Sequence, residues 1–383
     1  VTENAFDLIG ADVLVPCRGL VRAPLSFAGG RIVDGPVGRA IDLSGCLVLP
    51  GIVDAHGDGF ERHVAPRRGA VLDLSSGLTA TAAELAANGI TTAAVAQFWS
   101  WEGGMRSPEF AARLFAALAV VRDGLLLDLR PQLRLETHMT EDFADLPARL
   151  AAWGIGYVVF NDHLPHDRLD AGRQPPRLTG QALKAGRSPE GHLALMQALH
   201  RRGPDVPAAL DRLCADLAGR GVLMGSHDDH TPEDRAAWRR RGVRISEFPE
   251  TLTAAQSARA AGDAVVLGAP NVQRGGSHNG NVGARDLIAR GLCDALASDY
   301  HYPGPRLAAL QLARDGVLDF AAAWALVSSG PARMLGLTDR GVLEPGRRAD
   351  LVVLDAATGL VGACIAGGCV AYMAGDVAAR FLA

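Results

Sequence analysis

The sequence predicts an α/β fold, a TIM (β/α)8 barrel with a small β-sandwich domain built from both termini. Apolar strand-like runs alternate with Ala- and Leu-rich helical stretches through the middle of the chain, the pattern of parallel β/α units. Eight such runs are present, the number a closed barrel needs. Both ends read differently. Residues 1–48 and 340–383 are short strands punctuated by Gly and Pro, so they are expected to form one composite β domain beside a barrel of residues 49–339.

In the first segment, Asp12–Val15, Leu25–Phe27 and Arg31–Val33 are the expected strands. In the last they are Ala349–Leu354 and Cys369–Met373. The barrel strands are expected at Val48–Val53, Thr91–Ala96, Leu133–Glu136, Tyr157–Phe160, Val222–Gly225, Arg244–Glu247, Ala264–Leu267 and Asp294–Ala297. The long interval between the fourth and fifth is filled by two expected helices, Gln181–Gln197 and Ala208–Arg220.

Composition bounds the function. The chain has 383 residues, 48% hydrophobic and 21% charged, with a net charge of −4. That is ample material for a large core and gives no basic surface for nucleic acid or anionic membranes. No stretch approaches the ~20 apolar residues needed to cross a bilayer. The first residues lack a basic region followed by an apolar core, so a cytoplasmic location is expected. The six cysteines, at 17, 46, 214, 293, 364 and 369, form no C-x-x-C pair and read as reduced thiols.

Chemistry is expected where barrel strands end. His56 and Asp58 follow the first strand two positions apart, and in extended chain such residues share a side. An imidazole and a carboxylate converging on one point make half of a divalent metal site; a strand-end histidine bonded to its aspartate is the plainer alternative. The later strands end in Gln97; Glu136; Asn161, Asp162 and His163; His227, Asp228 and Asp229; Glu247; Asn271; and Ser298 and Asp299. One strand-end aspartate commonly caps a helix, but so many acids at one mouth repel unless cations balance them. The candidate ligands are His56, Asp58, Glu136, His163, His227 and Asp299, with Asp299 also the candidate proton acceptor for a metal-activated water. His63, His166, His192, His200, His230 and His301 fall in loops or helices and are expected to be solvated or capping. After strand seven, Arg274-Gly275-Gly276-Ser277-His278, with Asn281, forms either an anion cradle or a Gly/Asn turn, and Arg67 adds positive charge after the first motif.

These residues resemble the amidohydrolase superfamily and, within it, the PhnM family of phosphonate catabolism. The resemblance rests on HGDGFERH (56–63) with a following Pro-Arg, on SHDD (226–229) and EFP (247–249), and on GAPN-x-x-RGGSH-x-GN (268–281) and SDY (298–300). It is joined by the more general DRG-x-L-x-PG-x-x-ADLVVLD (339–355). It implies a barrel with one or two divalent metals; zinc suits the mixed N/O donors, and manganese and iron are open. It implies hydrolysis of α-D-ribose 1-methylphosphonate 5-triphosphate to the 5-phosphate and diphosphate, with Arg67, Arg274, Gly275, Gly276, Ser277, His278 and Asn281 holding the small-molecule substrate. Many superfamily members bridge two metals with a carbamylated lysine. The sole lysine here, Lys184, falls in a helix, which makes Glu136 the expected bridge. His163 then contacts metal or substrate, with Glu247 or His278 as an extra ligand. The loops after strands two, four and eight depart from the family pattern, at Phe98–Gly104, Leu164–Arg168 and His301–Leu307. A related amidohydrolase acting on an amide, cyclic amide or another phosphate ester is the alternative, and a non-catalytic metal or phosphonate binder the third. A homodimer is the default expectation.

Overall fold

The computed structural model describes residues 4–67, 70–71, 73–275 and 282–383. The eight barrel strands are Ile52–Gly57, Ile90–Trp99, Asp128–Glu136, Tyr157–Asn161, Leu223–His227, Ile245–Glu247, Ala264–Gly268 and Ala295–Ala297. They follow chain order in one eight-stranded sheet. Strands one–two, three–four, four–five, five–six and seven–eight pair in parallel. This is the (β/α)8 class, and most of these strands are fully buried runs, as parallel strands covered on both faces must be.

The chain groups into two compact units, Val1–Val95 with Val120–Arg130 and Ala264–Ala383, and Ala96–Ala119 with Pro131–Asp263. In the first unit a six-stranded sheet interleaves the two chain ends. Cys46–Pro50 lies antiparallel to Leu351–Asp355 and parallel to Asp12–Val15. A four-stranded sheet of N-terminal strands completes the sandwich, and Phe6, Phe27, Val48, Leu351, Val353 and Ile365 fill the space between. Strands one and eight meet in this unit. Asp299 N–H donates to the His56 carbonyl at 3.0 Å, and Asp58 N–H donates to the Asp299 carbonyl at 2.9 Å.

The expected strand Val48–Val53 is corrected here. It joins the end of one strand, Cys46–Pro50, to the start of another, Ile52–Gly57. Both halves are apolar and buried, so hydrophobicity alone does not separate the sandwich strand from the barrel strand.

In the second unit, strands three to six pack on helices through a core of Trp99, Phe115, Leu135, Phe160, Leu213 and Leu217. The expected helix Gln181–Gln197 is two helices, Leu178–Lys184 and Pro189–Arg201. Gly186 at φ +66° breaks it, and Ser188 caps the second helix by accepting from Gly191 N–H, with Pro189 at its first position. Among the described residues, no helix is long and apolar enough to cross a membrane.

Candidate metal centre and its surroundings

Within the first unit, strand one delivers His56, fully buried, as its penultimate residue, and Asp58 follows one position past the strand, half-buried. Asp299, two residues beyond strand eight, is tied by backbone hydrogen bonds to both. Beneath them Asp54, on the same side of the strand as His56, accepts from Ser298 Oγ at 2.5 Å and Ser298 N–H at 2.9 Å. Burial pushes the Asp54 carboxyl up to about 6, against the lowering pull of the Ser298 donors.

The glycines of HGDGFERH are there for space. A Cβ on Gly57 would lie 2.8 Å from Asp54 Oδ2 and 2.9 Å from Ser298 Oγ; one on Gly59 would lie 2.8 Å from the Arg62 guanidinium and 3.1 Å from the Tyr302 ring. The basic residues of the motif act through Glu84. Arg62 donates to Glu84 and to the Tyr300 carbonyl at 2.9 Å and lies over the Tyr302 ring, while His63 Nε2 is 2.5 Å from Glu84. The motif therefore anchors the loop after strand eight to the loop after strand one.

Within the second unit, Glu136 ends strand three with no solvent exposure. It accepts from Trp101 Nε1 at 3.2 Å and from His163 N–H at 3.2 Å, and it meets His163 Nδ1 directly. Burial works to lower the His163 imidazole, but the Glu136 carboxylate outweighs it and holds the ring above its ordinary value. Glu102, Glu136 and His163 offer three ligand atoms within 4.8 Å of one another. His227 ends strand five, with Nδ1 2.9 Å from Asp228 and Nε2 3.1 Å from the Arg134 guanidinium. Burial opposes ionisation of Asp228, and His227 overrides it, so that carboxyl sits below its ordinary value. Glu247, fully buried at the end of strand six, accepts from Tyr157 Oη at 2.6 Å and Gln132 Nε2 at 3.2 Å.

Asp228, Phe248 and Asp299 hold left-handed φ of 61°, 54° and 56°, directly after strands five and six and just past strand eight. Such a backbone costs about 1–3 kcal/mol per non-glycine residue and persists only where the surroundings enforce it. Of the four such positions among the described residues, two follow strand ends of the second unit and one follows strand eight of the first; the fourth, Cys17, is in an exposed turn.

These residues fit a divalent cation. The donors are nitrogen and oxygen only, and a buried carboxylate set against an imidazole, as Glu136 is against His163, needs a shared proton or a cation between them. Lys184 is exposed on its helix.

The remaining candidates divide. Arg67 is exposed and its carbonyl accepts from Ala70 N–H at 2.9 Å. Arg274 ends a short helix, Ala269–Arg274, that starts directly after strand seven, and its guanidinium lies over the Tyr300 ring; Gly275 is the left-handed cap. The loop expected there thus begins as a helical turn, and Asn271 sits on it. Gly276, Ser277, His278 and Asn281 lie outside the described residues. His192, expected to be solvated, is fully buried and packs on Trp101. Asp229, grouped with the strand-five acids, is structural. It is buried and accepts from Ser226, Ser246 and Arg235. Arg134 was not singled out, although it shares a strand face with Glu136; it is buried, stacked on Phe98 and bonded to Asn161.

Residues 72–361 match the model of the Amidohydrolase family. The alpha-D-ribose 1-methylphosphonate 5-triphosphate diphosphatase of Escherichia coli (strain K12) is 34% identical over 329 residues, 82% of this chain and 85% of that protein. Among solved structures, a putative prolidase from Bifidobacterium longum superposes with a TM-score of 0.63 at 17% identity, covering 99% of this chain and 98% of that one. The β-aspartyl dipeptidase of Fervidobacterium islandicum AW-1 does so with a TM-score of 0.63 at 14% identity, covering 97% and 99%. At such identities the structures speak for the fold alone. The family match spans most of the barrel and the Escherichia coli relative most of the chain, and on both grounds this protein belongs to the amidohydrolase family.

Proposed function

We propose that this protein hydrolyses a phosphoanhydride of a phosphonate-bearing ribose triphosphate, releasing diphosphate from α-D-ribose 1-methylphosphonate 5-triphosphate. The identity to the Escherichia coli diphosphatase over 82% of the chain is the observation that carries this reading. The residues proposed to hold divalent metal are His56, Asp58, Asp299, Glu136, His163 and His227, with Glu247 as a further carboxylate. Bound metal, zinc or else manganese or iron, would supply Lewis acidity and an acidified water near neutral pH. Asp299 takes the proton of the attacking water and passes it to the leaving group. Asp228 and Arg134 flank His227 and fix its ring. Arg67, Arg274 and the segment from Gly275 to Asn281 hold the polyanionic tail.

Purified, metal-loaded protein should release diphosphate from this substrate, and Asp299→Asn should lower kcat by about 10²–10⁴-fold. Full activity in that variant removes Asp299 from the mechanism. A second reading, a related amidohydrolase acting on an amide, cyclic amide or another phosphate ester, is motivated by the loops after strands two, four and eight, which depart from the family pattern at Phe98–Gly104, Leu164–Arg168 and His301–Leu307. Turnover of such substrates with none of the triphosphate decides for it.

A further inference from the structure

A second set of side chains in the same unit shares no residue with the proposed hydrolytic centre: His138, Asp162, His166, His200 and Asp170. His200 Nε2 lies 2.9 Å from Asp170 Oδ1. An ionised carboxylate only accepts, so that nitrogen carries the hydrogen. His166 Nδ1 and His200 Nδ1 lie 2.8 Å apart and share one hydrogen. The other nitrogen of His166, Nε2, faces the two oxygens of Asp162 at 3.1 and 3.3 Å. An imidazole nitrogen and a carboxylate at that distance hold either a proton or a metal cation between them.

His138 completes the arrangement. It is 5% exposed and brings Nδ1 to 3.6 Å from the same carboxylate. One ligand atom each from His138, Asp162 and His166 lies within 4.8 Å of the other two. Such separations suit donors around one ion with bonds of about 2.0–2.2 Å.

We infer that His138, Asp162 and His166 form an accessory site for a divalent transition ion of the zinc type, with His200 and Asp170 behind it orienting His166. Two imidazoles and one carboxylate are a borderline donor set that selects zinc over magnesium or calcium. The His166–His200–Asp170 chain is the outer support that ligating histidines need to hold one tautomer. A single proton on His166 Nε2 is the competing occupant.

Zinc bound per chain decides between them, read by elemental analysis after gel filtration of the full-length protein. His166→Asn should lose one zinc equivalent relative to the parent, while His230→Asn, at an exposed histidine paired with Glu250, should lose none. His200→Ala keeps the three ligands and removes only the support, so it should bind that zinc about 10–100-fold more weakly. Equal zinc counts in the parent and His166→Asn overturn the proposal. So does an unchanged affinity in His200→Ala, which also serves if His166→Asn fails to fold.

Discussion

The adjacent acids Asp228 and Asp229 should have opposite roles, and one pair of variants tests this. Asp229 is buried, and its Oδ2 receives Arg235 at 3.0 Å, Ser226 at 2.8 Å and Ser246 at 2.6 Å. Arg235 is 1% exposed and turns also to Asp263, 3.3 Å away. Removing one partner of a buried pair costs about 3–5 kcal/mol, because a buried charge is left behind. Asp263 still faces Arg235, which places Asp229→Asn at about 3 kcal/mol, a fall in melting temperature of roughly 4 °C for a chain of 383 residues. Asp228 is different. Its side chain is 45% exposed, and its ion pair with His227 is therefore worth at most about 1 kcal/mol to stability. Asparagine also tolerates the left-handed φ of 61°. Asp228→Asn should leave the melting temperature almost unchanged yet reduce kcat, since His227 loses the group that orients it. Thermal melts with and without chelator, combined with kcat per folded molecule, separate the two. A stable Asp229→Asn protein, or an unstable but fully active Asp228→Asn protein, refutes the assignment.

Glu84 faces burial, which raises its carboxyl, but Arg62 and His63 together hold it below its ordinary 4.5. Its stabilising contribution is complete above that value and disappears as pH falls through the depressed folded value; Glu84→Gln should flatten the acid limb of a stability–pH curve, and an unchanged limb counts against the Arg62–Glu84–His63 anchor. Lys184→Met should leave metal content and kcat unchanged, because Lys184 is exposed; loss of metal in that variant would revive a carbamylated bridge. Thr231 and Asp234 form a reciprocal capping box at the start of helix Pro232–Arg240. Thr231→Ala should cost about 1 kcal/mol in denaturant unfolding without changing kcat.

The fold was largely legible because it is written in local periodicity. Buried parallel strands are short apolar runs between helical stretches, and each of the eight expected runs overlaps an observed barrel strand. The errors fall where local pattern is silent. Cys46–Pro50 and Ile52–Gly57 read as one strand because both halves are apolar, and only their pairing partners differ. The helix break at Gly186 and Ser188-Pro189 did carry a local signal, a glycine followed by a cap and a helix-starting proline. His192 offered none, since nothing in its helix shows that Trp101 will cover it.

What the sequence determined by itself was the class of chemistry and the strand ends that present it, because alternation along a strand places His56 with Asp54, and Glu136 with Arg134, on one face. The tertiary structure decided which of those residues are paired and with which partner. It pairs Asp229 with Arg235, Asp54 with Ser298, Arg62 with Glu84, and Glu136 with His163. The Asp54–Ser298 partners lie 244 positions apart, and no local pattern specifies a partner at that distance. Closure of strand eight on strand one makes the pair, and the cost of burying an unpaired carboxylate keeps it.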